Sequence, residues 1–333
     1  MTTLQQVADK AGVSTATVSK VLSKTPYVSE DTEKKVLQAI EDVGYVPNLA
    51  ARALSNGKTH IIAVVFPWVF DAIFSDPLVQ HILEGVESVC RSEDYNILLS
   101  TPRNAVDKQY QQLIRSGYVD GVVALDNVPN FPVLDIARQA KLPAVAIGHS
   151  DHYYTIRTND AQGGQLLMQH ILDLGHRSVG IISTPATLNF SIHKRLQGLE
   201  DTCATYDVDM TTFPMALGDF SVESGYRCAK DLLSNHPQLT ALVCLNDRMA
   251  LGAMRYAQET GYNIPTDLSV VGYDDIALSQ YADPPLTTIS QQPQYMGQRA
   301  AQMLFALFND SQPTSSVLSV RLVKRQSTAS PRS

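Results

Sequence analysis

Few stretches of this sequence carry side chains that could do chemistry, and most of those sit where an apolar run ends. Asn246-Asp247 follows the run 242–245, Asp274-Asp275 follows 270–273, and Gly148-His149 follows 144–147. Adjacent carboxylates such as Asp274 and Asp275 have the composition of an acid/base pair, but successive residues point apart. One hydrogen-bonding and one structural carboxylate is the expected division. His149 and His152 have no third ligand at helical or hairpin spacing and read as loop histidines, so no metal is expected. Gly57-Lys58-Thr59 ends like a phosphate-binding loop, yet the glycine required five positions before Gly57 is Arg52. No H-E-x-x-H, G-x-S-x-G or G-x-G-x-x-G occurs. Neither catalysis nor a cofactor is expected.

Those polar residues need elements to position them. Apolar runs at 61–66, 97–100, 121–125, 144–148, 179–183, 240–245 and 269–273 predict strands. Amphipathic stretches near 78–94, 105–116, 132–141, 161–174, 192–206, 222–235 and 247–261 predict helices between them. Apolar strands alternating with helical crossovers imply parallel sheets covered on both faces, and this many units implies two doubly wound lobes. Ligands of such sheets bind beyond the carboxyl ends of the strands, where the polar pairs lie. The same residues could equally cap helices, as Asp247 would; pattern alone leaves both readings open.

Composition sets the outer limits. The chain has 333 residues, 44% apolar and 18% charged, enough for two or three folded units. Its longest apolar stretch, 61–70, contains Pro67 and is half the length a spanning helix needs, so no membrane partner is expected. The start, Met1-Thr2-Thr3-Leu4-Gln5-Gln6, lacks a basic and apolar leader, which predicts a cytoplasmic protein. Cys90, Cys203, Cys228 and Cys244 are too dispersed for a C-x-x-C site and read as reduced packing residues. Net charge is −7, unevenly spread: through Lys58 there are seven Lys/Arg and six Asp/Glu, against nineteen and twenty-seven afterwards. Only the head could approach a polyanion. The Ser/Thr/Pro-rich tail after Arg325 is expected to be disordered.

The head, 1–46, reads as three short helices. Leu4, Val7, Ala8 and Ala11 form one buried face, and Gly12-Val13 then breaks the helix. Ser14 caps a second helix that buries Val18, Val21 and Leu22 and presents Thr15, Ala16, Ser19 and Lys20 outward. A third starts at Ser29, buries Val36, Leu37, Ile40 and Val43, and stops at Gly44. A glycine turn before a helix with small outward side chains fits helix-turn-helix geometry, since bulky ones would keep it out of a major groove. Residues 49–54 form a helical run too short to hold alone in water. It reads as a linker or as a segment ordered by a partner.

Residues 4–57 resemble the DNA-binding head of the lactose/galactose repressor family. The likeness runs through Leu4 to Leu22, Val28-Ser29, Gly44-Tyr45-Val46-Pro47-Asn48 and Ala51-Arg52-Ala53-Leu54. It continues in Leu174-Gly175-His176-Arg177, Asn246 to Ala253, Ser269 to Asp275 and Pro285-Leu286-Thr287-Thr288-Ile289. The resemblance implies a homodimeric, sugar-responsive regulator, here expected to be a repressor that binds a pseudo-palindromic operator. Its implied architecture is an all-α helix-turn-helix module, 1–46, and a hinge, 47–58, before an α/β body, 59–333, of two doubly wound parallel-sheet lobes like those of periplasmic binding proteins. The lobes are expected at about 60–158 plus 291–318 and about 159–290 plus 319–328. The alternatives are a sugar-converting enzyme or sugar-binding protein on the same body, or a corepressor-dependent regulator.

By family position Thr15, Ala16 and Lys20 face bases, while Ser14, Thr17, Ser19 and Asn48 hold phosphates. The hinge brings Ala51 to the DNA and wedges Leu54 into the minor groove; the alternative is Leu54 packed on the body. Arg195, Phe220, Asn246, Asp274 and Gln291 are implied as effector contacts. Three features depart from the family pattern. Lys20 stands where Arg is common, Gly148-His149 where many relatives have an acid, and the loop after the first strand is longer. Trp68 and Phe74 in that loop are expected to add an aromatic platform to the effector site; the alternative is that they pack the loop.

Overall fold

The computed structural model describes residues 2–22, 28–45, 57–67, 73–101, 109–126, 128, 132–150 and 153–332. These form two compact units, Met1–Ile61 with Gly117–Asp120 and Ile62–Ser116 with Gly121–Ser333.

In the first unit, helices α1 (Leu4–Ala11), α2 (Thr15–Leu22) and α3 (Glu30–Val43) enclose Val7, Ala8, Val18, Val21, Val36 and Ala39. Their ends are set by short-range chemistry. Thr3 and Gln6 form a reciprocal capping box on α1, and Ser29 caps α3 ahead of Glu30, Asp31 and Glu33. Gly12 takes φ 68 between α1 and α2, a left-handed conformation that a side chain would strain. One expectation fails here: Leu37 is 48% exposed, and Ala39 takes its place inside. The 3.6-residue period brings 36, 39 and 40 onto the face toward α1 and carries 37 past it.

The second unit is built on two parallel sheets. Strands β1 (Ile61–Val65), β2 (Asn96–Ser100), β3 (Gly121–Asp126), β4 (Ala144–Gly148), β5 (Tyr154–Thr158) and β11 (Ser316–Leu318) form the first, in the order β11-β5-β4-β3-β1-β2. Strands β6 (Val179–Ser183), β7 (Met215–Leu217), β8 (Ala241–Cys244) and β9 (Ser269–Val271) form the second, in the order β7-β6-β8-β9. Helices α4 (Pro77–Ser92), α5 (Gln109–Arg115), α6 (Val133–Gln139) and α11 (Pro293–Phe308) serve the first lobe. Helices α7 (Asp160–Asp173), α8 (Phe190–Thr205), α9 (Val222–Asn235) and α10 (Asp247–Glu259) serve the second. The doubly wound expectation therefore holds. The short strands β5, β7, β11, β10 (Thr288–Ser290) and β12 (Arg321–Val323) were not anticipated, because three to five residues give too little periodicity.

The chain passes between the lobes after β5, after β10 and after β11, and the three passages are tied together. Asn159 donates its backbone N–H to Leu318 O at 3.0 Å, Thr158 Oγ1 donates to Gln291 Oε1 at 3.2 Å, and Gln292 Nε2 donates to Ser319 O at 3.2 Å.

The tail is ordered, contrary to expectation. Ser327 Oγ donates to Val270 O at 2.6 Å, Ala329 N–H donates to Ser269 Oγ at 3.0 Å, and Ala329 O lies 2.8 Å from Nε2 of buried His176. Hydroxyl-rich sequence signals disorder only when the hydroxyls lack partners, and here the edge of the second sheet supplies them. All four cysteines are buried free thiols. Among the described residues, no helix is long and apolar enough to cross a membrane.

Asp247 is fully buried at the first turn of α10, where Ile276 N–H donates to it at 3.0 Å, as do Ser279 Oγ at 2.6 Å and Thr288 Oγ1. Burial pushes its carboxyl up from 3.8 to about 7, against the pull of these hydrogen bonds. The folded state therefore holds a proton here that the unfolded chain has released, so this group's contribution to stability falls as pH rises from about 4 to about 7. His170, lowered by burial from 6.5 to about 4, has the opposite slope in that window. Urea unfolding across pH 4 to 8 should thus show the stability difference, wild type minus Asp247→Asn, shrinking toward neutral pH. A constant difference would mean that Asp247 does not titrate there.

Candidate functional site

A cavity of about 90 Å³, partly open to solvent, lies between the lobes of the second unit. Its first-lobe side is largely apolar: Leu78, Val79 and Ile82 from α4, Leu125 from β3, Ile147 from β4 and Met296 from α11. Its second-lobe side is polar, built from Asp160, Asn189, Ser191, Arg195, Asn246 and Asp274, with Phe220 beside them. An apolar wall facing convergent donors and acceptors suits a small hydroxylated molecule.

Arg195 dominates the polar side. It lies on α8, is 5% exposed, and donates from Nε to Asp160 Oδ1 at 2.9 Å and from a terminal nitrogen to Leu245 O at 2.7 Å. Asp274 Oδ1 is 3.7 Å from the same terminal nitrogen, and the guanidinium carbon sits 3.6 Å from the Tyr273 ring centroid. Burial alone would lower its pKa, but Asp160, then Tyr273 and Asp274, outweigh burial and hold the guanidinium above the ordinary arginine value. The closeness of α7 to α8 depends on Gly164, where a Cβ would stand 2.1 Å from the Arg195 carbonyl oxygen.

The other groups are held as firmly. Asn246 is the N-cap of α10: its side chain accepts from Met249 N–H at 2.9 Å and donates to Phe220 O at 3.1 Å. Capping and cavity-lining are thus the same residue's two roles, and the cap is Asn246, not Asp247. Asp274 follows β9 with φ 120, a left-handed-side conformation that turns its carboxylate back to accept from Gln291 Nε2. Burial raises the Asp274 carboxyl well above the usual range, and Arg195 offsets this only in part. Asp275 points away to Arg325, which matches the expected division of the pair.

The cavity therefore gathers five residues singled out in the sequence: Arg195, Phe220, Asn246, Asp274 and Gln291. Phe74 is a correction. It is 72% exposed in a short 3-10 turn (Ile73–Ser75) that buries Ile73 instead, and it does not line the cavity. Trp68 lies outside the described residues, as do Asn48, Ala51 and Leu54. Sequence reasoning missed Asp160, Thr158, Arg157 and Asp76. The signal for Asp160 was available, since a buried arginine requires a carboxylate, but nothing local pairs residues 35 positions apart.

In the head, Ala16 and Lys20 are exposed on α2, while Thr15, Thr17 and Ser19 are partly buried. Ser14 accepts from Thr17 N–H at 3.2 Å, with its hydroxyl 3.0 Å from Thr17 Oγ1.

Comparison with known proteins adds the following. Residues 3–48 match the model for bacterial regulatory proteins of the lacI family, and residues 168–328 match a periplasmic binding protein-like domain. The HTH-type transcriptional repressor PurR of Aliivibrio salmonicida (strain LFI1238) is 33% identical over 319 residues, 93% of each chain. Among solved structures, the lac repressor dimer bound to operator and the anti-inducer ONPF aligns with TM-score 0.86 at 28% identity, covering 98% of this chain and 99% of that one. The complex of the transcriptional regulator CelR with cellobiose aligns with TM-score 0.74 at 28% identity, covering 98% and 100%.

Arg195→Ala would leave Asp160 buried without its counter-charge, a loss of about 3–5 kcal/mol in urea unfolding at neutral pH. Adding Asp160→Asn should recover part of that loss. No recovery would mean that the pair is not coupled.

Proposed function

The chain belongs to the lacI family of bacterial regulatory proteins, and on that premise we propose how it works: paired α2 helices read an operator, and a sugar-like effector between the lobes sets their grip. It is a DNA-binding transcriptional repressor under effector control. One observation carries the mechanistic reading: a lacI head is joined in a single chain to a body whose interlobe cavity is preformed and polar on one side.

In this proposal Thr15, Ala16 and Lys20 contact base edges, while Ser14, Thr17, Ser19 and Asn48 contact phosphates, which fix register without discriminating sequence. Lys20 offers a point charge to guanine O6 and N7 in place of the planar fork of arginine, which predicts a softer preference for that base. Residues 47–58 serve as a hinge, bringing Ala51 to the duplex and Leu54 into the minor groove of a homodimer's operator. Unstacking one base step costs a few kcal/mol, offset by contacts that a bent duplex allows.

Arg195, Asn246, Asp274 and Gln291 form the hydroxyl-binding side, with Phe220 against an apolar ring face. The binding of cellobiose by CelR, a structural relative over nearly its whole length, supports a sugar-like effector here. Trp68 remains part of the proposed aromatic contribution; Phe74 does not.

Selection from a random duplex pool by the full chain at fixed salt should enrich an inverted repeat. Lys20→Ala should then weaken binding by about 1–3 kcal/mol per half-site at one base position and little at its variants. Equal weakening on every sequence would make Lys20 a phosphate contact, and no enrichment would remove the operator reading.

A further inference from the structure

The charged side chains lining the cavity are not all matched by a partner. Its ionisable walls are Asp76, Arg157, Asp160, Arg195 and Asp274. Arg195 is matched by Asp160 at 2.9 Å and faces Asp274 at 3.7 Å. Asp76, across the cleft, accepts from Leu78 N–H and pairs with Arg248 at 3.3 Å. Arg157, on β5, is different: among the described residues its side chain has no hydrogen bond, ion pair or ring contact.

Its surroundings explain why no partner reaches it. Ile147 is in register with Ile156, so the residue alongside Arg157 on the neighbouring strand is Gly148, which has no side chain. This is the position where the sequence departs from the acidic residue expected of the family. Arg157 is half-buried, so its guanidinium has given up part of its hydration without gaining a counter-charge.

We propose that Arg157 receives an oxyanion carried by the effector, so that the favoured effector is an acidic polyol, a sugar phosphate or a sugar acid, instead of a neutral sugar. A guanidinium binds either group through two parallel N–H donors, and such charge-assisted pairs are about twice as strong as neutral ones. The inference rests on the effector reading above and narrows its ligand class.

Calorimetric titration of the full chain with matched sets tests it. Glucose, galactose and ribose would each be offered as the neutral sugar, its phosphate ester and its aldonate. In at least one set an anionic member should bind about tenfold or more tightly than its neutral partner, and whether the phosphate or the aldonate does so identifies the source. Arg157→Gln should abolish that preference, and Arg157→Lys, which keeps the charge without the fork, should retain part of it. The proposal is overturned if no anionic member in any set outbinds its neutral partner, complete silence included, or if the preference survives Arg157→Gln. Binding of the selected duplex by the same wild-type preparation separates the two failures. Duplex binding without an anion preference sinks only this inference, whereas no duplex binding sinks the regulator reading beneath it.

Discussion

A single guanidinium taken out of water organises the second lobe. Stripped of hydration, Arg195 would be untenable alone, so its environment is over-determined: the Asp160 carboxylate, the Leu245 carbonyl, the Tyr273 ring and the Asp274 carboxyl all converge on it. These groups come from the start of α7, the end of β8 and the turn after β9, so satisfying one charge fixes the relative placement of three segments. Tyr273 is itself tethered, donating to Asp160 at 3.4 Å. A site assembled this way has its polar groups held in place by one another, which reduces the ordering cost of binding.

The same network reaches the passages between lobes. Asp274 accepts from Gln291, Gln291 accepts from Thr158, and Thr158 precedes Asn159, whose backbone is bonded to Leu318. A molecule engaging Asp274 or Gln291 thus competes directly with the hydrogen bonds that tie two of the three connections together. The Asp76–Arg248 pair spans the cleft a short way off, adding a charged contact between the lobes. An effector changes the balance between lobe arrangements only by interacting differently with each, and in the proposed mechanism these shared polar groups supply that difference.

Much of this architecture was legible in the sequence, for identifiable reasons. Parallel strands such as β1 and β4 are nearly continuous apolar runs, and a cap such as Ser29 announces a helix start, whereas the cap of α10 proved to be Asn246 and not Asp247. Family likeness then picked out Arg195, Phe220, Asn246, Asp274 and Gln291, which meet at one cavity although they span nearly a hundred residues of chain. Partners distant in sequence were not legible. Asp160 and Thr158 matter through residues 35 and 133 positions away, and no local pattern encodes that. Phe74 was misjudged because aromatic composition does not say which side of a turn faces inward. The tail was misjudged because its hydroxyls look solvated until the sheet edge that binds them is seen.

The central claim is that occupancy of the interlobe cavity is thermodynamically linked to the grip of the head on DNA. Fluorescence anisotropy tests it most directly, using the duplex that the full chain selects, at fixed salt, with and without saturating amounts of the tightest-binding sugar or sugar derivative found by calorimetry. The expected result is a change in duplex Kd of about 5- to 150-fold, with the reciprocal change in effector affinity when duplex is present. An effector that binds in the cavity while leaving duplex affinity untouched would contradict the account.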